Sequence, residues 1–450
     1  MIGAGRILGI HRLGEALGLP IHYNEGIDRM RPTAPDEQDL PRVLQPVIIG
    51  ADFCGYAYIR CFWEAYGVES IVLASADIKT HSCSRFADYR VIDGLDDEVV
   101  LLRELERLGD ELIAAGSVPF LVGCGDHYAR LISQNKPLLE ERYYVPYIDF
   151  DLLDEITQKE NFYRICEEIG IPYPKTVYLD CADPDAEFDD GGMTYPLIAK
   201  PSNSAAYHYA DIPNKKKVFL VKDREELEVI FGDLKRSCYD RSLIVQEFIP
   251  GDDTQIRILS AYTDSDANPV FMCGGRVVLE DHSPTAIGNP AVIIPERNQR
   301  VLEDAARFMK HVGYHGMANF DVKFDERDGS YRFFEINTRP GRSSFFAWQA
   351  GVNFAKVQVD DVLMGSQLGE FAADRPFVYT TVPPYVVRRS VADPEIRARV
   401  LGAFKDGTAQ FPLFWGRESL LQKFWAAVNY YHQISKFQKY VWSRGAADLA

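Results

Sequence analysis

From Val47 onward the chain alternates apolar runs with amphipathic stretches. Val47-Ile48-Ile49-Gly50 is a continuous apolar run closed by glycine, Tyr56–Tyr66 has helical spacing, and Ser70–Ala74 is a second apolar run. Strand, helix, strand at this spacing predicts a βαβ unit of a parallel sheet. Leu101–Ala115 and Pro119–Gly123 extend it by another helix and strand. The first junction, Gly50-Ala51-Asp52-Phe53-Cys54-Gly55, is not G-x-G-x-x-G, so a dinucleotide fingerprint is excluded. Ser84-Arg85 and Asp126-His127 sit where strand ends of an open parallel sheet line a crevice.

Further on, Thr157-Gln158-Lys159 opens a helix that runs to Ile169 and stops at Gly170-Ile171-Pro172. Tyr195–Pro201 is a short strand ending in Lys200, and Ser202-Asn203-Ser204-Ala205-Ala206 follows it. Lys215–Val221 predicts a strand, Arg224–Phe231 a helix, and Ser242–Glu247 an apolar strand that runs into Pro250-Gly251. Gln255–Tyr262 and Pro269–Leu279 read as an antiparallel pair ending in the polar loop Glu280–Asn289. An amphipathic helix, Glu296–Val312, leads to two alternating segments, Ala318–Asp325 and Tyr331–Asn337. They flank Glu326-Arg327-Asp328-Gly329-Ser330, which is turn chemistry and predicts a hairpin. Past Met364, Val382–Tyr385 reads as a linker or edge segment, Asp393–Ala403 as a helix, and Ser419–Tyr440 as a long helix rich in aromatics. The first 45 residues read as a leader, with a short helix at Ile7–Leu17 and a linker at Arg29–Pro41.

The hairpin carries the chemistry. Side chains alternate faces along a strand, so Glu335 and Asn337 point the same way, and Asp321 on the partner strand can face them. Two carboxylates and an amide oxygen form a hard, oxygen-only cluster, suited to Mg²⁺ held together with nucleotide phosphates. Lys159 stands in a first helical turn, where a cation opposes the helix dipole unless an anion is bound there. Lys200 precedes small polar residues whose backbone N–H groups and hydroxyls can approach phosphate. The Gln246–Gly251 stretch offers backbone and apolar wall to an adenine edge, and Asp252 and Asp253 can accept from ribose hydroxyls.

Charge and composition narrow the classes. The 450 residues carry a formal net charge of -17, which excludes nucleic acid as the main partner. The length suggests two to four domains. Eight scattered cysteines show no metal-ligand spacing, and no apolar stretch reaches membrane-spanning length. The N-terminal segment is broken by charges and is not a signal peptide, so a cytoplasmic protein is expected.

In order, Lys159, Lys200, Gln246-Glu247 with Gly251-Asp252-Asp253, Asp321, Glu335 and Asn337 resemble the ATP-grasp ligases. Leu197–Ser204 with Lys217-Val218 is similar to the D-aspartate ligase type of carboxylate–amine ligase. The phosphate loop departs from the family, having Ser202-Asn203-Ser204 where many members have glycines. The resemblance implies an α/β protein whose ATP-grasp fold, two α+β subdomains clasping ATP, spans residues 151–365. A small parallel-sheet α/β domain (46–150) precedes it, the leader is residues 1–45, and a partly helical C-terminal extension covers 366–450. It further implies ATP held by Lys159, Lys200, Ser202, Ser204, Gln246, Glu247, Phe248, Ile249 and Asp253. Mg²⁺, as two ions with Mn²⁺ as an admissible substitute, would sit on Asp321, Glu335 and Asn337. Arg339, Arg342, Arg276 and Arg257 are the catalytic candidates, able to hold a carboxylate or phosphate. The loop Ser202–Ala210 would order on nucleotide binding. The implied reaction joins an amino-acid carboxylate, D-aspartate in the nearer resemblance, to an amine acceptor through an acyl phosphate. Another amino-acid or dipeptide ligase, or a nucleotide-binding protein without ligase activity, is the alternative. The aromatic C-terminal helix leaves room for a homodimer.

Overall fold

The computed structural model describes residues 33–183, 185–202, 207, 209–216, 218–284 and 286–443. The expected helix at Ile7–Leu17 and the small residues Asn203–Ala206 lie outside the described residues.

The first layer is a parallel sheet. Strands β1 (Leu44–Ile49), β2 (Ser70–Ala74), β3 (Ala87–Val91) and β4 (Val118–Gly123) lie in the order β3-β2-β1-β4. Helices α1 (Phe53–Tyr66), α2 (Glu98–Ala114) and α3 (Asp126–Gln134) connect or follow them. Both faces of β1 are covered: Ile48 packs into one core cluster, Val47 and Ile49 into another. That is why β1 reads as a continuous apolar run rather than an alternating one. The Asp52 carboxylate caps α1 by accepting from Gly55 N–H at 3.0 Å, and Gly67 closes the helix at φ 68°.

Two helices then follow end to end, α4 (Phe150–Thr157) and α5 (Lys159–Glu168). The expected start at Thr157 is corrected: Thr157 ends α4, Gln158 is extended (φ -73°, ψ 122°), and α5 begins at Lys159.

A four-stranded antiparallel sheet comes next, from β5 (Thr176–Asp180), β6 (Leu197–Pro201), β7 (Phe219–Val221) and β8 (Ser242–Glu247), with α6 (Arg224–Arg236) between the last two. Its order is β5-β8-β6-β7, so β8 is an interior strand. Leu243 and Val245 of β8 pack with Leu197, Ala199 and Leu227.

The third sheet has seven strands, in the order β13-β12-β9-β10-β11-β14-β15. They are β9 (Ile256–Thr263), β10 (Pro269–Glu280), β11 (Pro290–Pro295), β12 (Gly316–Asp325), β13 (Ser330–Asn337), β14 (Val378–Thr380) and β15 (Ala409–Gln410). Helices α7 (Gln299–Val312), α8 (Phe345–Gln349), α9 (Phe354–Gln358), α10 (Pro384–Ser390), α11 (Pro394–Asp406) and α12 (Leu420–Phe437) complete the chain. This sheet is a middle layer. One face buries Ile258, Cys273, Val277 and Ile293 against α1, α8 and α9. The other buries Leu259, Phe320, Val322 and Phe333 against α5 and α7. The reading of Val382–Tyr385 as a linker or edge segment is corrected too: Pro384 is the first residue of α10, where its missing N–H costs nothing. β14 and β15 are too short to show a period in sequence. Among the described residues no helix is long and apolar enough to cross a membrane.

Candidate active site

The hairpin β12–β13 forms as its pattern predicts, with Asp321 directly opposite Glu335 and Asn319 opposite Asn337. Directly paired residues share a face, so these four converge. A bulge at Phe334 breaks the alternation of β13, which lets Phe333 and Ile336 both face the core. The same period puts Asn319 and Lys323 on the face of Asp321, two residues that the motif reading passed over. Asn319 is 6% exposed, and its Oδ1 has no hydrogen-bond partner among the described residues. It lies against Gly341, where any Cβ would stand 2.8 Å from that oxygen. A side chain at 341 would therefore force either the Asn319 amide or the loop to shift.

Asn337 Nδ2 donates to Asp321 Oδ2 at 3.3 Å. Burial, and then the charge of Glu335, pushes the Asp321 carboxyl up to about 8. Burial also acts to raise Glu335, but the Lys159 ammonium outweighs it and holds that carboxyl below its ordinary value. Glu335 thus has a cation beside it while Asp321 is bonded to an amide, so ionising Asp321 is costly until a cation joins the oxygen donor set. That fits a hard divalent cation.

Two lysines reach this face from separate elements. Lys159, at the start of α5, donates to Glu335 Oε2 at 2.9 Å across 176 residues of sequence. Gln158 gives α5 no side-chain cap, so its first N–H groups remain available to an anion. Lys200, near the end of β6, is pushed down to about 8 by burial and then by the charge of Lys159. Two ammonium groups this close call for an anion between them.

The strand exit that was expected to meet adenine is partly committed elsewhere. Gln246 Nε2 donates to Tyr163 Oη and to Thr176 Oγ1, both at 2.9 Å, so its side chain is turned into the core. Glu247 Oε1 accepts from Arg327 Nη2 at 2.7 Å. Beyond them the chain crosses to the seven-stranded sheet through Phe248 and Ile249. Among the described residues their amides have no backbone partner. Lys323 stands 5.7 Å from the Phe248 ring centre and donates to Gly251 O at 3.2 Å. Asp253 accepts from Glu280 N–H at 2.8 Å, and both its oxygens lie 3.0 Å from His282 Nε2. Ser202 Oγ is 3.3 Å from Tyr239 Oη, and Ser204 lies outside the described residues.

The four candidate arginines separate. Arg339 holds Asp126 with two bonds of 2.8 Å, and its Nη2 is 3.5 Å from Asn337 Oδ1. Arg342 stacks on Phe53 with its guanidinium carbon 4.8 Å from the ring centre. Arg257 and Arg276 do not join the cluster. They pair with each other in register, while Asp321 pairs with Ile258, one residue along from Arg257. Strand alternation thus puts both arginines on the opposite face of the sheet. There Arg257 pairs with Glu296, and Arg276 donates to Thr254 O at 2.9 Å.

Comparison with known proteins extends this picture. A sequence profile of the carbamoyl-phosphate synthase L chain ATP-binding domain matches residues 220–370. A D-aspartate ligase of Enterococcus faecium is 33% identical over 410 residues, 88% of this chain and 96% of that protein. The chain belongs to the ATP-grasp ligase family. A D-alanine–D-alanine ligase of Solibacter usitatus is 24% identical over 240 residues, 51% of this chain and 70% of that protein. Two solved structures share the ATP-grasp fold. The L-amino acid ligase from Bacillus licheniformis has a TM-score of 0.52 at 16% identity, covering 75% of this chain and 78% of that one. The biotin carboxylase from Campylobacter jejuni has 0.54 at 15% identity, covering 74% and 73%. As an ATP-grasp ligase the chain is an ATP-dependent enzyme, and the three layers described above are its α/β framework with a helical C-terminus.

Proposed function

We propose that this ligase activates a carboxylate of D-aspartate with ATP and joins it to an amine. The observation that carries the reading is the meeting of Lys159, from α5, with the Asp321, Glu335 and Asn337 face of the hairpin. The likeness to a D-aspartate ligase along nearly all of that relative supports the choice of acid.

In this reading the acid's carboxylate oxygen attacks the γ-phosphorus of ATP, and ADP leaves. The amine then attacks the acyl carbon, phosphate leaves, and an amide remains. Positioning and electrostatics supply most of the catalysis in such transfers. Lys159 and Lys200 hold the phosphates from one side. Asp321, Glu335 and Asn337 would hold Mg²⁺ on the other, as two ions with Mn²⁺ as an admissible substitute. When bound, Mg²⁺ neutralises charge that builds on the phosphate oxygens. The amides of Phe248 and Ile249 offer pairing to the adenine edge, with Glu247 beside them and Asp253 and Lys323 toward the ribose. Arg339, fixed by Asp126, is aimed at the reacting carboxylate from beside Asn337. Eight free cysteines accord with a cytoplasmic setting.

Phosphate release from Mg-ATP, measured over a panel of D- and L-amino acids with and without amines, tests the proposal. Release that depends on D-aspartate in wild type and falls by at least about a hundredfold in Glu335→Gln is expected. A silent panel with ATP still bound would instead favour a nucleotide-binding protein without ligase activity.

A further inference from the structure

One guanidinium in this site has nothing to hold. Of the four candidate arginines, Arg339 is taken by Asp126, Arg257 by Glu296, and Arg276 by a backbone carbonyl. Arg342 has no hydrogen-bond or ion-pair partner among the described residues; the Phe53 ring lies against it, and Tyr379 is near enough to feel its charge. It lines a cleft with Phe53, Asp281, Tyr379, Thr381 and Gln433. Asp281 is the one acid of that lining, and it already accepts from Lys436 Nζ at 2.5 Å. Stacking on Phe53 covers one flat face of the guanidinium and leaves its N–H edge free, the geometry for a bidentate carboxylate.

The cleft adjoins the reacting end. Arg342 is five residues past Asn337, a span of at most about 17 Å. The loop between them lies against α1, with Cys54 Sγ 4.0 Å from Pro340 O. The cleft is also assembled from distant parts of the chain: Phe53 from α1, Tyr379 from β14 and Gln433 from α12.

Resting on the ligase reading above, we propose that Arg342 holds the carboxylate of the acid substrate that does not react. The site then selects a dicarboxylic amino acid over its neutral analogues, and the C-terminal segment completes the specificity pocket. A partly buried cation left without its anion by a neutral analogue is the physical basis of that selection.

The test is steady-state phosphate release by wild type, Arg342→Gln and Arg342→Lys with D-aspartate, D-asparagine and D-isoasparagine. The two amides each keep a different carboxylate, so one retains the group that reacts. The expected result is a KM for D-aspartate raised about a hundredfold in Arg342→Gln, with KM for ATP within about twofold of wild type. Preference for D-aspartate over the reactive amide should collapse in the same variant, and Arg342→Lys should fall between. Stabilisation by Mg-ADP equal to wild type would show each variant folded. A KM for D-aspartate within about threefold of wild type in a folded Arg342→Gln would overturn the assignment. No D-aspartate-dependent release by wild type would overturn the substrate reading and this assignment with it.

Discussion

Glu418 ties the end of the chain to its beginning, and its removal has a calculable effect. Its carboxylate is 5% exposed. It accepts from Tyr56 Oη at 2.9 Å, Ser84 Oγ at 2.5 Å, Arg85 N at 3.2 Å and Ser419 N at 3.0 Å. Burial, and then the charge of Glu418, pushes the Tyr56 hydroxyl far above its ordinary value, so it stays a neutral donor. Glu418→Ala leaves two buried hydroxyls orphaned, each costing roughly 1–3 kcal/mol, for a total of about 2–6 kcal/mol. Glu418→Gln keeps one acceptor oxygen and should cost about 1–2 kcal/mol. Adding Tyr56→Phe to Glu418→Ala removes one orphan, so the double variant should fall short of the summed single losses by about 1 kcal/mol or more. A chain of this size need not unfold in one step, so the readout is hydrogen exchange of the α1 and α12 amides. Protection in both helices should drop together in Glu418→Ala. Since α1 begins at Phe53, under Arg342, KM for the acid should rise while Mg-ADP affinity holds. Unchanged protection in α1 would refute the reasoning.

Two other outcomes follow. Burial, and then Asp253, pushes Glu280 up to about 7, and the bond to Asp253 raises His282 above its ordinary value. Both groups bind more protons folded than unfolded over these intervals, so stability falls as pH rises from about 4.5 to beyond 7. Glu280→Gln should match wild type in thermal melts at pH 5 and exceed it at pH 8; a constant difference across that range would contradict this. The outer face of α12 exposes Leu421 (56%), Phe424 (58%) and Tyr431 (62%), the surface on which a homodimer is expected. Sedimentation should show Phe424→Glu shifting dimer to monomer, and a wild type that is monomeric at all concentrations would remove the dimer.

What the sequence determined on its own was local. The apolar runs of β1, β2 and β4, the hairpin turn, and the face shared by Asp321, Glu335 and Asn337 follow from periods of two and 3.6, which neighbouring residues enforce. Lys323 and Asn319 were within reach of the same period. The short strands β14 and β15 were not, because two or three residues carry no period and are strands only through their sheet partners. Nor could order in sequence tell that β8 is interior, or that Arg257 and Arg276 face away from Asp321. Those depend on register between strands, which is a tertiary quantity. The fold alone also decided which charges found partners. Lys159 reaches Glu335 across 176 residues and Asp126 takes Arg339 across 213, and Arg342 is left over only once the other three candidate arginines have been placed.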